Sequence, residues 1–126
     1  PALARNAAFY RKQAMQLASK MRFVAVQFEA LLGGDLWQRN AFHANAMAAR
    51  LATEIDDVGS LRIVMPVESN AVFAQIPQAS VAPLQDYSAF AVWRSAKSIV
   101  RWMTSFDTTP GEVRDFAAAI RETRRA

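Results

Sequence analysis

Cysteine is absent from the 126 residues, histidine occurs once and glycine four times. Without cysteine there is no disulfide framework and no thiolate metal site, which fits an intracellular chain and leads to the expectation of a cytoplasmic protein. A single histidine, His43, excludes His-pair metal sites and any Cys–His dyad, so no metal ligand set is expected. No apolar run approaches the roughly 20 residues a membrane span needs, and the N-terminus lacks the charged-then-apolar pattern of a signal peptide. The glycines form no phosphate loop: Gly33 and Gly34 follow a helical pattern rather than a strand, and no Lys-Ser/Thr pair succeeds them. Nor is there a concentrated charge of one sign. The net charge of +4 is spread thinly, clustering only at Arg11-Lys12 and in the C-terminal RETRRA. A nucleic-acid interface gathers basic residues on one face among aromatics, and this chain does not.

What is present is a hydrophobic content of 52% with periodic order, the mark of a globular domain. Residues 3–32 contain no glycine or proline. Their apolar positions Leu3, Ala7, Tyr10, Ala14, Leu17, Met21, Val24, Phe28 and Leu31 step by four and three, a heptad-like stripe. As one helix this segment would measure about 45 Å, against a radius of gyration of about 14 Å for a globule of this size. It therefore either breaks partway or projects towards another domain or chain. The chain starts at Pro1 with the pattern already running by Leu3, which reads as a piece of something longer. Gly33-Gly34 closes the segment, and Asp35 is placed to cap a second helix over 36–56.

The period then changes. LRIVMPV (61–67) and AVFAQIP (71–77) read as strands joined by a polar turn containing Glu68 and Asn70, with Pro66 marking an edge or a bulge. Residues 78–87 read as a weak helix or loop, and AFAVWRS and SIVRWMTSF as two further strands around Lys97. Thr109-Pro110-Gly111-Glu112 is a capping box with proline in the first helical position, and Val113, Phe116, Ala117 and Ile120 give the following helix its apolar stripe. This order predicts an α+β two-layer sandwich: an antiparallel three- to four-stranded sheet with helices on one face, preceded by a long helical segment. The division falls between a helical linker, 1–34, and an α+β domain, 35–126.

Candidate chemistry is sparse. His43 reads as a helix-surface or interface histidine. Asp56-Asp57 sits at a helix end and faces water, and Ser19, Thr104 and Ser105 have no base close in sequence. Lys12, Lys20 and Lys97 are the candidates for a Schiff-base lysine, but their polar surroundings read as solvated surface. Arg101 is the anomaly, a permanent charge within SIVRWMTSF. Strand alternation puts Ile99, Arg101, Met103 and Ser105 on one face and Val100, Trp102, Thr104 and Phe106 on the other. The second face is the more apolar and is expected to meet the helices. An unpaired buried charge is costly, so Arg101 must reach solvent or an anion, and spacing alone favours solvent over a carboxylate clamp.

Four blocks, YRKQAMQLASKMRFVAVQFEALL, LWQRNAFHANAMAARLATEI, ESNAVFAQIP and IVRWMTSFDTTPGEV, run in order from about residue 8 to 120. Together they resemble the C-terminal part of low-specificity L-threonine aldolases, β-eliminating lyases of the fold-type I pyridoxal-phosphate class. The resemblance implies a homotetramer whose subunits have a large cofactor domain and a small C-terminal domain, and an amino-acid substrate, L-threonine or L-allo-threonine, cleaved to glycine and acetaldehyde. The chain would be the small domain with its leading helical segment, inactive alone because the Schiff-base lysine and the groups around the cofactor ring belong to the large domain. Arg101 matches the arginine that holds the substrate carboxylate in the family. Lys12 and Arg22 match basic groups near the cofactor phosphate. Some relatives carry a glycine-rich break before the Met-Arg pair, where this chain has QAMQLASK. Beside this stands the reading from the residues alone, a free-standing α+β module that binds a carboxylate or pairs chains through the 3–31 stripe.

Overall fold

Alternating burial along two central strands organises the domain. In the computed structural model, which describes residues 4–15 and 19–123, the chain divides into two compact units, Pro1–Trp37 and Gln38–Ala126.

The second unit contains most of helix α3 (Leu36–Glu54), then β1 (Arg62–Ile63), β2 (Ala71–Gln75), α4 (Gln78–Tyr87), β3 (Ala91–Arg94), β4 (Ile99–Met103) and α5 (Pro110–Glu122). The strands form one antiparallel sheet in the order β1-β2-β4-β3, the α+β two-layer arrangement anticipated above. Val72 and Ala74 of β2 and Val100 and Trp102 of β4 project to one side. There they share a buried core with Ala48, Leu51 and Ile55 from the α3 side and Val113, Ala117 and Ile120 of α5. The last three occupy helical positions on one stripe, so α5 buries one face and exposes the other. Sequestering each such aliphatic side chain stabilises the fold by about 1.5–3 kcal/mol.

Local chemistry explains the element ends. The capping box forms in full: the Glu112 backbone N–H donates to Thr109 Oγ1 at 3.2 Å, and the Thr109 N–H donates to Glu112 Oε2 at 2.7 Å. The short β1 agrees with Pro66, which cannot donate to a ladder. One further backbone bond, Val64 N–H to the Phe73 carbonyl at 2.9 Å, continues the pairing beyond Ile63. At the other end of β2, Asn70 Nδ2 donates to the Thr104 carbonyl, and the Thr104 hydroxyl donates to the Ala44 carbonyl at 2.7 Å. The end of β4 is thereby fastened to α3. One expected position is corrected. The strand ends at Met103 and the chain turns, so Phe106 is exposed rather than facing the helices.

The first unit holds two helices, α1 (Ala7–Gln13) and α2 (Met21–Leu32). The long segment therefore breaks, although it contains neither glycine nor proline. Met15 (φ 55°) and Lys20 (φ 61°) adopt left-handed backbone conformations, each costing about 1–2 kcal/mol for a residue with a Cβ. Lys20 immediately precedes the Met21-Arg22 pair. Leu3 and Leu17 of the heptad stripe, and the last three residues of the RETRRA cluster, lie outside the described residues. Helix α2 ends at Gly33, where a Cβ would come within 2.6 Å of the Glu29 carbonyl oxygen. Close approach, rather than a positive φ, makes glycine suitable there. Among the described residues no helix is long and apolar enough to cross a membrane.

Candidate functional site

Arg101 stands in the middle of β4, one of the two interior strands of the sheet. Its register partners are Phe73 on β2 and Ala91 on β3. Because Val100 and Trp102 are buried beneath the helices, alternation carries Arg101 to the opposite face of the sheet, as the strand pattern predicts. On that open face the ladder also carries Arg62 and Gln75, joined by a hydrogen bond from Arg62 Nη2 to Gln75 Oε1 at 3.0 Å. Ile99 shares the face yet is buried, and Met103 is exposed.

The arginine is only half-exposed. Its guanidinium carbon lies 5.3 Å from the centroid of the Trp93 ring, a cation–π distance. Trp93 in turn meets the ring of Phe73 edge-on at 5.4 Å. Arg101 Nε is buried and has no hydrogen-bond partner, and no carboxylate among the described residues pairs with the side chain. A permanent charge held this way keeps donors without internal acceptors, which is the electrostatic condition for receiving an external anion. Sequence pattern had singled out Arg101 but not its aromatic surroundings. Trp93 reaches this face by ordinary alternation from Ala91, two residues earlier, while the pairing of β3 with β4 and the irregularity between Val92 and Arg94 have no sequence mark.

Lys12 and Arg22 lie in the first unit, Lys12 in the last turn of α1 and Arg22 in the first turn of α2, on either side of the break. Lys12 is exposed, and the Arg22 guanidinium lies 5.0 Å from the ring centroid of Phe23. Both are cations of a kind that contacts phosphate. Lys20 and Lys97 are likewise exposed, so none of the three lysines has the desolvated setting that activates an amine nucleophile.

Several other titratable residues are tied into the fold. His43 Nε2 donates to the Thr108 carbonyl at 2.7 Å. A carbonyl oxygen can only accept, so the proton sits on Nε2. Asp57 accepts from Arg121 at 3.0 Å, and Arg121 also donates to the Glu54 carbonyl. Glu112 is held below the usual carboxylate range by the Thr109 backbone N–H and then by the Thr109 hydroxyl. No cluster of three or more His, Cys, Asp or Glu suited to a metal occurs among the described residues. A cleft of about 250 Å³ is lined by Phe90, Trp102, Thr108, Glu112 and Phe116. It belongs to the helix-covered side and does not include Arg101.

No protein-family model matches the chain. Two curated proteins align with it over 114 residues, 87% of this chain and 32% of theirs. One is a low specificity L-threonine aldolase of Pseudomonas sp. (strain NCIMB 10558), 39% identical, and the other a low specificity L-threonine aldolase of Pseudomonas aeruginosa, 40% identical. The chain thus spans about a third of the length of the curated relatives it matches.

Proposed function

We propose, from a chain related over most of its length to the low-specificity L-threonine aldolases, that it is the small C-terminal domain of a pyridoxal-phosphate-dependent lyase. The intact enzyme would cleave L-threonine or L-allo-threonine to glycine and acetaldehyde. The observation that carries the site assignment is Arg101, a half-exposed guanidinium on the uncovered face of the sheet that no carboxylate among the described residues pairs. A carboxylate matches the planar fork of arginine through two parallel hydrogen bonds, and an amino-acid substrate brings one.

The division of labour follows from what the described residues offer. Pyridoxal phosphate, when bound, supplies an electron sink for bond cleavage next to the α-carbon. Lys12 and Arg22 fit a role beside its phosphate. The exposed lysines fit no covalent one, so on this reading that part of the chemistry belongs to a large domain and this chain alone is inactive. Arg101 fixes the carboxylate end of the substrate, and a substrate fixed at one end presents its reacting bond in one orientation.

A second observation favours an assembly role for the leading segment. No residue of α1 or α2 is buried, and Phe23, Val26, Phe28 and Leu32 of α2 are all more than half exposed. A helix apolar on so much of its surface is ordinarily covered, and burial in a homo-oligomer, a tetramer as in the family, accounts for it.

The test uses the longer protein with its cofactor. Arg101→Ala should lower kcat/KM for L-threonine by about 100-fold or more, from the loss of charge-assisted hydrogen bonds. Arg101→Lys should recover only part of that loss, and the 126-residue chain should release no acetaldehyde. Unchanged kinetics for Arg101→Ala would remove the assignment.

A further inference from the structure

The backbone beside Arg101 departs from regular pairing in a way that bears on how the guanidinium is held. Along β3 and β4, Ala91 pairs with Arg101, Val92 with Val100 and Arg94 with Ile99. Trp93, two residues from Ala91 and so on the Arg101 face, is the extra residue of a β-bulge, where the strand twists locally. Its ring lies against the guanidinium of Arg101 and edge-on to Phe73. Phe73 and Trp93 belong to β2 and β3, which flank β4 on opposite sides. Their rings therefore meet across the strand that carries Arg101. Ala91, directly opposite the arginine, has only a methyl group where a longer side chain would compete for this space.

We infer that Trp93 is a positioning residue: braced by Phe73, it fixes the Arg101 guanidinium and closes off its Nε edge, so that a carboxylate is received end-on by the two terminal nitrogens. The inference rests on the reading of Arg101 as the carboxylate site. An arginine in water samples many rotamers and pays to hold one geometry. Stacked on an indole it is oriented before the anion arrives, and preorganisation of this kind is gained as affinity. The burial of Nε without a partner is the cost of the arrangement, and it leaves one donor edge for the ligand.

Two readouts on the 126-residue chain test this, both by nuclear magnetic resonance of the Arg101 side chain. In the wild type and in Trp93→Phe, which keeps an aromatic face, the Nε–H proton should be ring-current shifted and exchange slowly with solvent. In Trp93→Leu, of similar hydrophobicity without the π face, it should lose the shift and exchange fast. Titration with sodium acetate should move the terminal guanidinium resonances, with the apparent Kd weakened by about 3- to 10-fold in Trp93→Leu and by less than about twofold in Trp93→Phe. Unchanged exchange and acetate affinity in Trp93→Leu, with a native backbone spectrum, would overturn the positioning role and leave Arg101's own role standing. An Arg101 that does not respond to acetate even in the wild type would overturn the carboxylate reading and this inference with it.

Discussion

His43 and Thr108 meet across 65 residues of sequence: the imidazole Nε2–H donates to the Thr108 carbonyl at 2.7 Å, joining helix α3 to the loop that enters α5. A lone histidine in a chain without cysteine invites a chemical reading, and the contact instead shows a structural tie. Replacing His43 with leucine removes the donor and leaves the carbonyl in a part-buried place. The expected loss is about 1–2 kcal/mol of unfolding free energy, read as a lower urea midpoint at unchanged slope. A variant as stable as the wild type would show that the tie contributes nothing.

The capping box gives a pH dependence of defined sign. Glu112 is stabilised as a carboxylate by the Thr109 backbone N–H and hydroxyl, so its folded value lies below its unfolded one. Its contribution to stability is therefore full above the ordinary glutamate range and is lost as pH falls through the lower folded value. Glu112→Gln keeps an acceptor and removes the titration. Urea midpoints compared between about pH 6 and about pH 3 should fall more steeply for the wild type than for this variant. Parallel curves would contradict the cap's electrostatic part.

The break before α2 can be tested through Lys20, held at φ 61°. Glycine adopts that conformation freely, so Lys20→Gly should keep the helical circular dichroism and raise stability slightly, by about 0.5–1 kcal/mol. If the segment instead ran as one helix, the same glycine would fall in its interior and cost about 1 kcal/mol of helix stability. A drop in helical signal would thus contradict the break.

Much of this was legible in the residues. The capping box and the alternation of Ile99 to Met103 rest on local stereochemistry, and both appear where their patterns put them. That α1 ends at Gln13 and α2 begins only at Met21 was less legible, because nothing in the composition demands a break. A left-handed lysine is a local cost that the propensities of the neighbouring residues do not reveal. Alternation alone does not say where a strand stops, and Phe106 lies past the end of β4. The place of Trp93 beside Arg101 depends on which strands pair and in what register, and neither is written in the β3 segment alone. Arg101 itself was visible as a charge in an apolar strand, whereas the aromatic pair that surrounds it depends on pairing between strands.

The central claim is that Arg101 receives the substrate's carboxylate, and a substrate change tests it more directly than mutation alone. In the intact enzyme proposed above, kcat/KM should be compared for L-threonine and L-threonine amide, which lacks the anionic group, in the wild type and in Arg101→Ala. The account predicts that the wild type favours the acid by about 100-fold and that the variant nearly loses this preference. A preference for the acid that survives intact in Arg101→Ala would show that another group holds the carboxylate.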